Sequence, residues 1–200
     1  MSVLQHDLSL LDIEAIVIGA SAGAIASLTQ LLPPLGPDYP LPILVTVHVP
    51  PDQPSSIPSL LQAKCRVTIK EAEDKEFICP GTVYFAPPDY HVLVEKDRSL
   101  SLSNEEPVSY ARPSIDVLFE SAADVYGKTL LALILSGANH DGAQGSRSVV
   151  KAGGTVLVQL PESAAARIMP EATLAACPDA RAMSLSDIDQ LLASREPRES

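Results

Sequence analysis

Apolar and polar positions alternate in blocks along this chain. Short aliphatic runs at Ile13–Ile18 (IEAIVI), Ile43–Val47 (ILVTV), Leu130–Leu135 (LLALIL) and Thr155–Gln159 (TVLVQ) read as strands buried on both faces. Between them, apolar residues at helical spacing predict helices over Ala24–Leu32, Ile57–Ala63, Ser114–Tyr126, Gly142–Ala152, Pro170–Cys177 and Ser186–Ala193. The clearest is Ser114–Tyr126, where Pro113 precedes the helix and Ile115, Leu118, Phe119, Ala122 and Val125 share one face. Arg66–Lys70 is a further strand. Thr82–Phe85, His91–Glu95 and Leu100–Leu102, separated by turns at Pro87-Pro88-Asp89 and Asp97-Arg98, are expected to form a small antiparallel β patch. Glu162-Ser163 reads as a helix start. The pattern predicts an α/β fold class: a three-layer, mostly parallel β-sheet, doubly wound and Rossmann-like, with helices on both faces. Residues 1–12 read as a lead-in, 13–193 as the folded domain and 194–200 as a polar tail.

Composition narrows the partners. The chain has 200 residues, 46% hydrophobic and 20% charged, enough for one sizeable core. Its 14 basic and 25 acidic residues give a net charge of −11, so phosphate backbones and anionic lipid repel it and nucleic acid is a poor partner. The apolar runs fall far short of the roughly 18 residues that cross a bilayer, so no membrane insertion is expected. Acids stand near the N-terminus where a signal peptide carries Lys or Arg, and a cytoplasmic location is the expectation. Cys65, Cys79 and Cys177 are widely spaced and odd in number, which predicts buried, reduced thiols.

In sheets of this kind the ligand crevice lies beyond the carboxyl ends of the strands, and three strand ends carry chemistry. Gly19-Ala20-Ser21-Ala22-Gly23 fits G-x-S-x-G, a sharp strand-to-helix turn that exposes a serine at a helix head able to hold an oxyanion. A phosphate loop is the rival, but Ser21 and Ala24 stand where G-x-G-x-x-G needs glycine. His48 ends the second strand, and an imidazole there can take the serine proton. Ser136-Gly137-Ala138-Asn139-His140-Asp141-Gly142 follows the Leu130–Leu135 strand, and Asp141 can orient His48 or cap the helix that follows. His48, His140 and Asp141 lack metal-ligand spacing. No cofactor motif is present, so neither cofactor nor metal is expected.

Taken together, GASAG, VTVHVP, VYFAPPDYHVLV, ARPSIDVLFESAA, LSGANHDGAQG and PESAA with its later MP, in unbroken order over residues 13–193, resemble the chemotaxis-receptor methylesterases, the CheB-type catalytic domain. The resemblance implies hydrolysis of glutamate γ-methyl esters on chemoreceptor helices or related signalling proteins, with glutamine deamidation in some members. It implies Ser21 as nucleophile, His48 as base and Asp141 as acid, with the oxyanion held by the N–H of Ala22 and of Ala138 or Asn139. Arg112 is expected to shape the cleft and meet acidic receptor surface; Tyr90 and His91 are assigned structural roles. The chain departs from the family pattern at Ala22, Ala24, Ala138 and Asn139, where Thr, Gly, Met and Gly are usual. Twelve leading residues leave no room for the family's receiver domain, so the expectation is a stand-alone esterase, one switched by a separate response regulator, or a fragment. The rival classes are a binding module that keeps the esterase fold without its activity, and a nucleotide-binding Rossmann protein.

Overall fold

The computed structural model describes residues 12–48 and 56–195. Residues 1–11 of the lead-in, the end of the polar tail and the Pro50-Pro51 stop after His48 lie outside the described residues. Strand β1 (Ala15–Ala20) leads into helix α1 (Ala24–Leu31), β2 (Ile43–Val47), α2 (Ile57–Gln62) and β3 (Thr68–Glu71). There follow β4 (Thr82–Phe85), β5 (His91–Val94), β6 (Leu100–Ser103), α3 (Ile115–Tyr126) and β7 (Leu130–Ile134). Helix α4 (Ala143–Lys151), β8 (Thr155–Gln159), α5 (Ile168–Ala176), β9 (Arg181–Met183) and α6 (Leu185–Ala193) complete the order.

Seven strands form one parallel sheet in the order β3-β4-β2-β1-β7-β8-β9. The continuous apolar runs are explained by coverage on both faces. Ile16, Ile18 and Ala20 of β1 join Leu131 and Leu133 of β7 beneath α1, α2 and α6, through Leu28, Leu61 and Leu192. Ala15 and Val17, with Ala132 and Ile134, face α3, α4 and α5 through Leu118, Phe119, Val149 and Met169. Chain order reverses at β1, with β2 on one side and β7 on the other. That topological switch opens a crevice at the carboxyl ends of these three strands.

Three local expectations are corrected. Thr82–Phe85 is not in the antiparallel patch: β4 pairs in parallel with both β2 and β3, and among the described strands the antiparallel pair is β5 with β6. Glu162-Ser163 lies in a single 3₁₀ turn (Pro161–Ser163), and α5 begins later, at Ile168. Strand β9 is an addition; at three residues, two of them exposed, it has no periodicity to read. The cysteines are free, but Cys79 is exposed; only Cys177 is fully buried.

Candidate active site

Sheet register brings the first two candidates together. Ala20 of β1 pairs with Val47 of β2, so Ser21 and His48 are the next residues on neighbouring strands, which run about 4.8 Å apart. His48 N–H donates to Ala20 O at 3.2 Å, fixing that alignment one step beyond the sheet. On the other side of β1, Leu135 N–H donates to Gly19 O and Ser21 N–H to Ser136 O, both at 2.9 Å. The Ser136 hydroxyl adds a bond to Ala22 O at 2.6 Å. Three strand ends are thus laced into one edge.

Tight approach explains the glycines at the turn. A Cβ on Gly19 would collide with Ile115 Cγ2, and Gly23 has φ 87°, where a Cβ would meet Ala165 Cβ at 2.7 Å. Among the described residues, the N–H groups of Ala22 and Gly23 at the head of α1 and of Ala138 in the β7 loop form no hydrogen bond. Such donors suit an incoming negative charge.

Asp141 is completely buried and its carboxylate collects donors from every side. Oδ2 accepts His48 Nε2–H at 2.8 Å and Ile115 N–H at 2.6 Å. Oδ1 accepts the Ser114 hydroxyl at 2.9 Å, and Asp116 N–H and Gly142 N–H at 3.1 Å each. Burial alone would raise its pKa. The hydrogen bonds from His48, Ile115 and Asp116 outweigh burial and hold the carboxyl below its usual value.

The donor pattern reveals an exchange of caps. Asp141 precedes α4 yet accepts from the first N–H groups of α3. Asp116, in the first turn of α3, accepts from Gly142 N–H at 2.9 Å and Gly145 N–H at 2.7 Å at the head of α4. Each helix is capped by a carboxylate from the other. Burial first, then the Asp141 charge, push Asp116 up to about 6, against the pull of its N–H donors.

The second nitrogen of His48 is also occupied. Asn139 Nδ2 stands 3.0 Å from His48 Nδ1. Ser21, His48, Asn139 and Arg112 line one cavity of about 430 Å³ with Asp89, Pro107, Tyr110, Ala111 and Pro113. Asp141 lies behind His48, while Ala22 and Ala138 are exposed and outside that lining. Arg112 Nη1–H bonds the carbonyls of Asn104 and Glu105 at 3.0 and 3.1 Å, making it a strut for the cavity wall. His91 braces the same wall: Nδ1 accepts Ser114 N–H at 3.1 Å and Nε2 reaches Glu106 O at 3.2 Å. His140 is exposed and faces a different depression beside Ile168.

Asp116, Ser136 and Gln159 carry no role that the sequence pattern predicts. Gln159 Oε1 accepts Ser136 N–H at 3.0 Å and so anchors the β7 loop. Asp116 had one available signal, its place inside the ARPSID motif; the other two had only their positions at strand ends.

Comparisons with known proteins give the family and the fold. The CheB methylesterase family profile matches residues 16–192. A Leptospira interrogans protein, provisionally named a protein-glutamate methylesterase/protein-glutamine glutaminase, is 44% identical over 89% of this chain and 92% of its own length. A Paraburkholderia xenovorans protein-glutamate methylesterase/protein-glutamine glutaminase is 40% identical over 80% of this chain, but over 45% of its own length. The crystal structure of the Thermotoga maritima CheB methylesterase catalytic domain superposes with a TM-score of 0.85 at 31% identity, covering 90% of this chain and 97% of that one.

Proposed function

Because the chain belongs to the CheB methylesterase family, we propose that it is a serine hydrolase of protein-glutamate methyl esters, with Ser21, His48 and Asp141 as its triad. The reading is carried by one observation: an imidazole bonded to a buried carboxylate, at the end of the strand next to a serine in a G-x-S-x-G turn. Residues 13–193 are the catalytic domain.

The cycle is acyl transfer. Asp141 holds the Nε2 proton of His48, which leaves Nδ1 to take the Ser21 proton. Oγ bonds to the ester carbonyl carbon, and the carbonyl electron pair moves onto oxygen. The N–H of Ala22 receives that oxyanion, with a second donor from the backbone of Ala138 or Asn139. The proton then passes from Nδ1 to the leaving methoxide, releasing methanol. Water repeats the sequence on the acyl-enzyme, returning serine and a glutamate carboxylate. A glutamine side chain would follow the same path and release ammonia.

The substrates that fit are methylated chemoreceptor helices or similar signalling proteins. No described helix is long and apolar enough to cross a membrane, and a cytoplasmic site of action goes with this reading, as does a separate response regulator as partner. Ser21→Ala and His48→Ala are each expected to lower kcat by roughly 10⁴–10⁶ in a methanol-release assay on methylated receptor. Near-native turnover by Ser21→Ala overturns the mechanism.

A further inference from the structure

We propose that the side-chain amide of Asn139 latches the catalytic base at rest, and that it must leave His48 before Ser21 can react. The proposal rests on the triad reading above. Asn139 Oδ1 accepts the N–H of Asp141 at 3.2 Å, which fixes the amide with Nδ2 toward the imidazole. An amide nitrogen only donates, so Nδ1 is the acceptor in that 3.0 Å contact. Nε2 then carries the ring proton, in agreement with its 2.8 Å bond to the carboxylate of Asp141. The network permits one tautomer.

A neutral imidazole has one in-plane lone pair, and Asn139 occupies it. It cannot accept the Ser21 hydroxyl proton at the same moment. Among the described residues, the Ser21 hydroxyl forms no side-chain hydrogen bond. Asn139 lines the cavity together with Ser21 and His48, so the amide has open space on that side to turn into. Once it turns, the Oγ–H bond of Ser21 breaks, an Nδ1–H bond forms, and the imidazolium is held by Asp141. The resting contact therefore adds the cost of one hydrogen bond to the step that activates serine, and nothing to substrate binding.

Two substitutions with opposite expected signs test this, in the methanol-release assay and in the rate at which a fluorophosphonate labels Ser21. Asn139→Ala removes the donor and is expected to raise kcat and the labelling rate about 5-fold, the worth of one ordinary hydrogen bond, with KM unchanged. Asn139→Asp keeps an acceptor for Asp141 N–H but turns an acceptor toward Nδ1, favours a proton there, and is expected to fall below wild type in both assays. The ¹⁵N spectrum of the His48 ring should show the Nε2–H tautomer in wild type and a shifted Nδ1 signal in Asn139→Ala. An unchanged or slower Asn139→Ala, or an Nδ1–H tautomer in wild type, overturns the latch. Ser21→Ala is the separating control. If it loses all activity while Asn139→Ala is no faster, the latch fails and the triad stands; if it stays active, the triad reading itself has failed.

Discussion

Two strand-to-helix turns share one backbone design and do opposite things with it. The turn from β1 into α1 and the turn from β7 into α4 both enter their helix through a left-handed glycine, Gly23 at φ 87° and Gly142 at φ 95°. At the first, Ser21 is half-exposed and the N–H groups of Ala22 and Gly23 are unpaired among the described residues. At the second, Asp141 is buried and the helix head is closed, Asp116 accepting from both Gly142 and Gly145. An open helix head can receive charge that appears during a reaction. A closed one holds a side chain still. The fold places one of each on either side of a single histidine.

The largest break in this contrast is expected from Asp141→Asn. The closed turn fixes the His48 tautomer through an acceptor, and an amide presents a donor there as readily. Once Asn139 has turned away, the ring proton would move to Nδ1, leaving no base for serine. A loss of about 10⁴ in kcat is expected, as for a triad acid elsewhere. The same change pits an amide against the N–H groups of Ile115 and Asp116, so the melting temperature should fall as well. Kinetics and thermal unfolding of one preparation check both. Full activity would mean that the closed turn orients nothing.

Asp116 sharpens the contrast through pH. Its carboxyl is raised to about 6 in the folded protein, so folding favours its protonated form. The stability this contributes is complete below the ordinary carboxyl range and is lost as pH rises through about 4 to 6. At about 1.4 kcal/mol per unit, the loss is of order 2–3 kcal/mol. Asp141, held low, has the opposite sign: its contribution is present above the ordinary range and is lost as pH falls. Asp116→Asn retains an acceptor for Gly142 and Gly145 but cannot ionise. Urea unfolding from pH 4 to 7 should show the variant gaining on wild type across that window. Parallel curves would mean that Asp116 titrates as an ordinary carboxyl.

Why one turn was legible in sequence and the other only partly follows from the range of the contacts. Ser21 sits within a five-residue pattern whose glycines record a local backbone need. His48 follows a strand whose apolar run is plain, and Asp141 lies in the loop after another. The exchanged caps are not local: Asp116 reads as an ordinary first-turn acid of an apolar helix, and its acceptor role depends on glycines in another helix. Asn139 reads as a backbone donor to the oxyanion, and nothing local shows that its side chain meets His48 until β1, β2 and β7 are set side by side. The pairing of Thr82–Phe85 is hidden for a related reason. Short strands between tight turns suggest a hairpin, yet β3 and β4 run parallel, joined by residues 72–81 without a helix.

The smallest effect is expected across the cavity from the open turn, at Arg112. Part of its guanidinium is committed to the carbonyls of Asn104 and Glu105, so this side chain first holds the wall that faces Ser21. Its charge nevertheless borders the cavity in a chain of net charge −11, where docking on an acidic surface of the proposed substrate would need a local positive group. Arg112→Ala should therefore raise KM severalfold with kcat nearly unchanged, because neither the open helix head nor the His48 tautomer depends on it. The variant should also lose part of the salt dependence of KM, since a screened attraction has been removed. Salt dependence equal to wild type, together with a raised KM, would make Arg112 a strut alone. A fall in kcat at constant KM would tie the far wall to the chemistry of the open turn, and the two sides of the cavity could no longer be treated as separate.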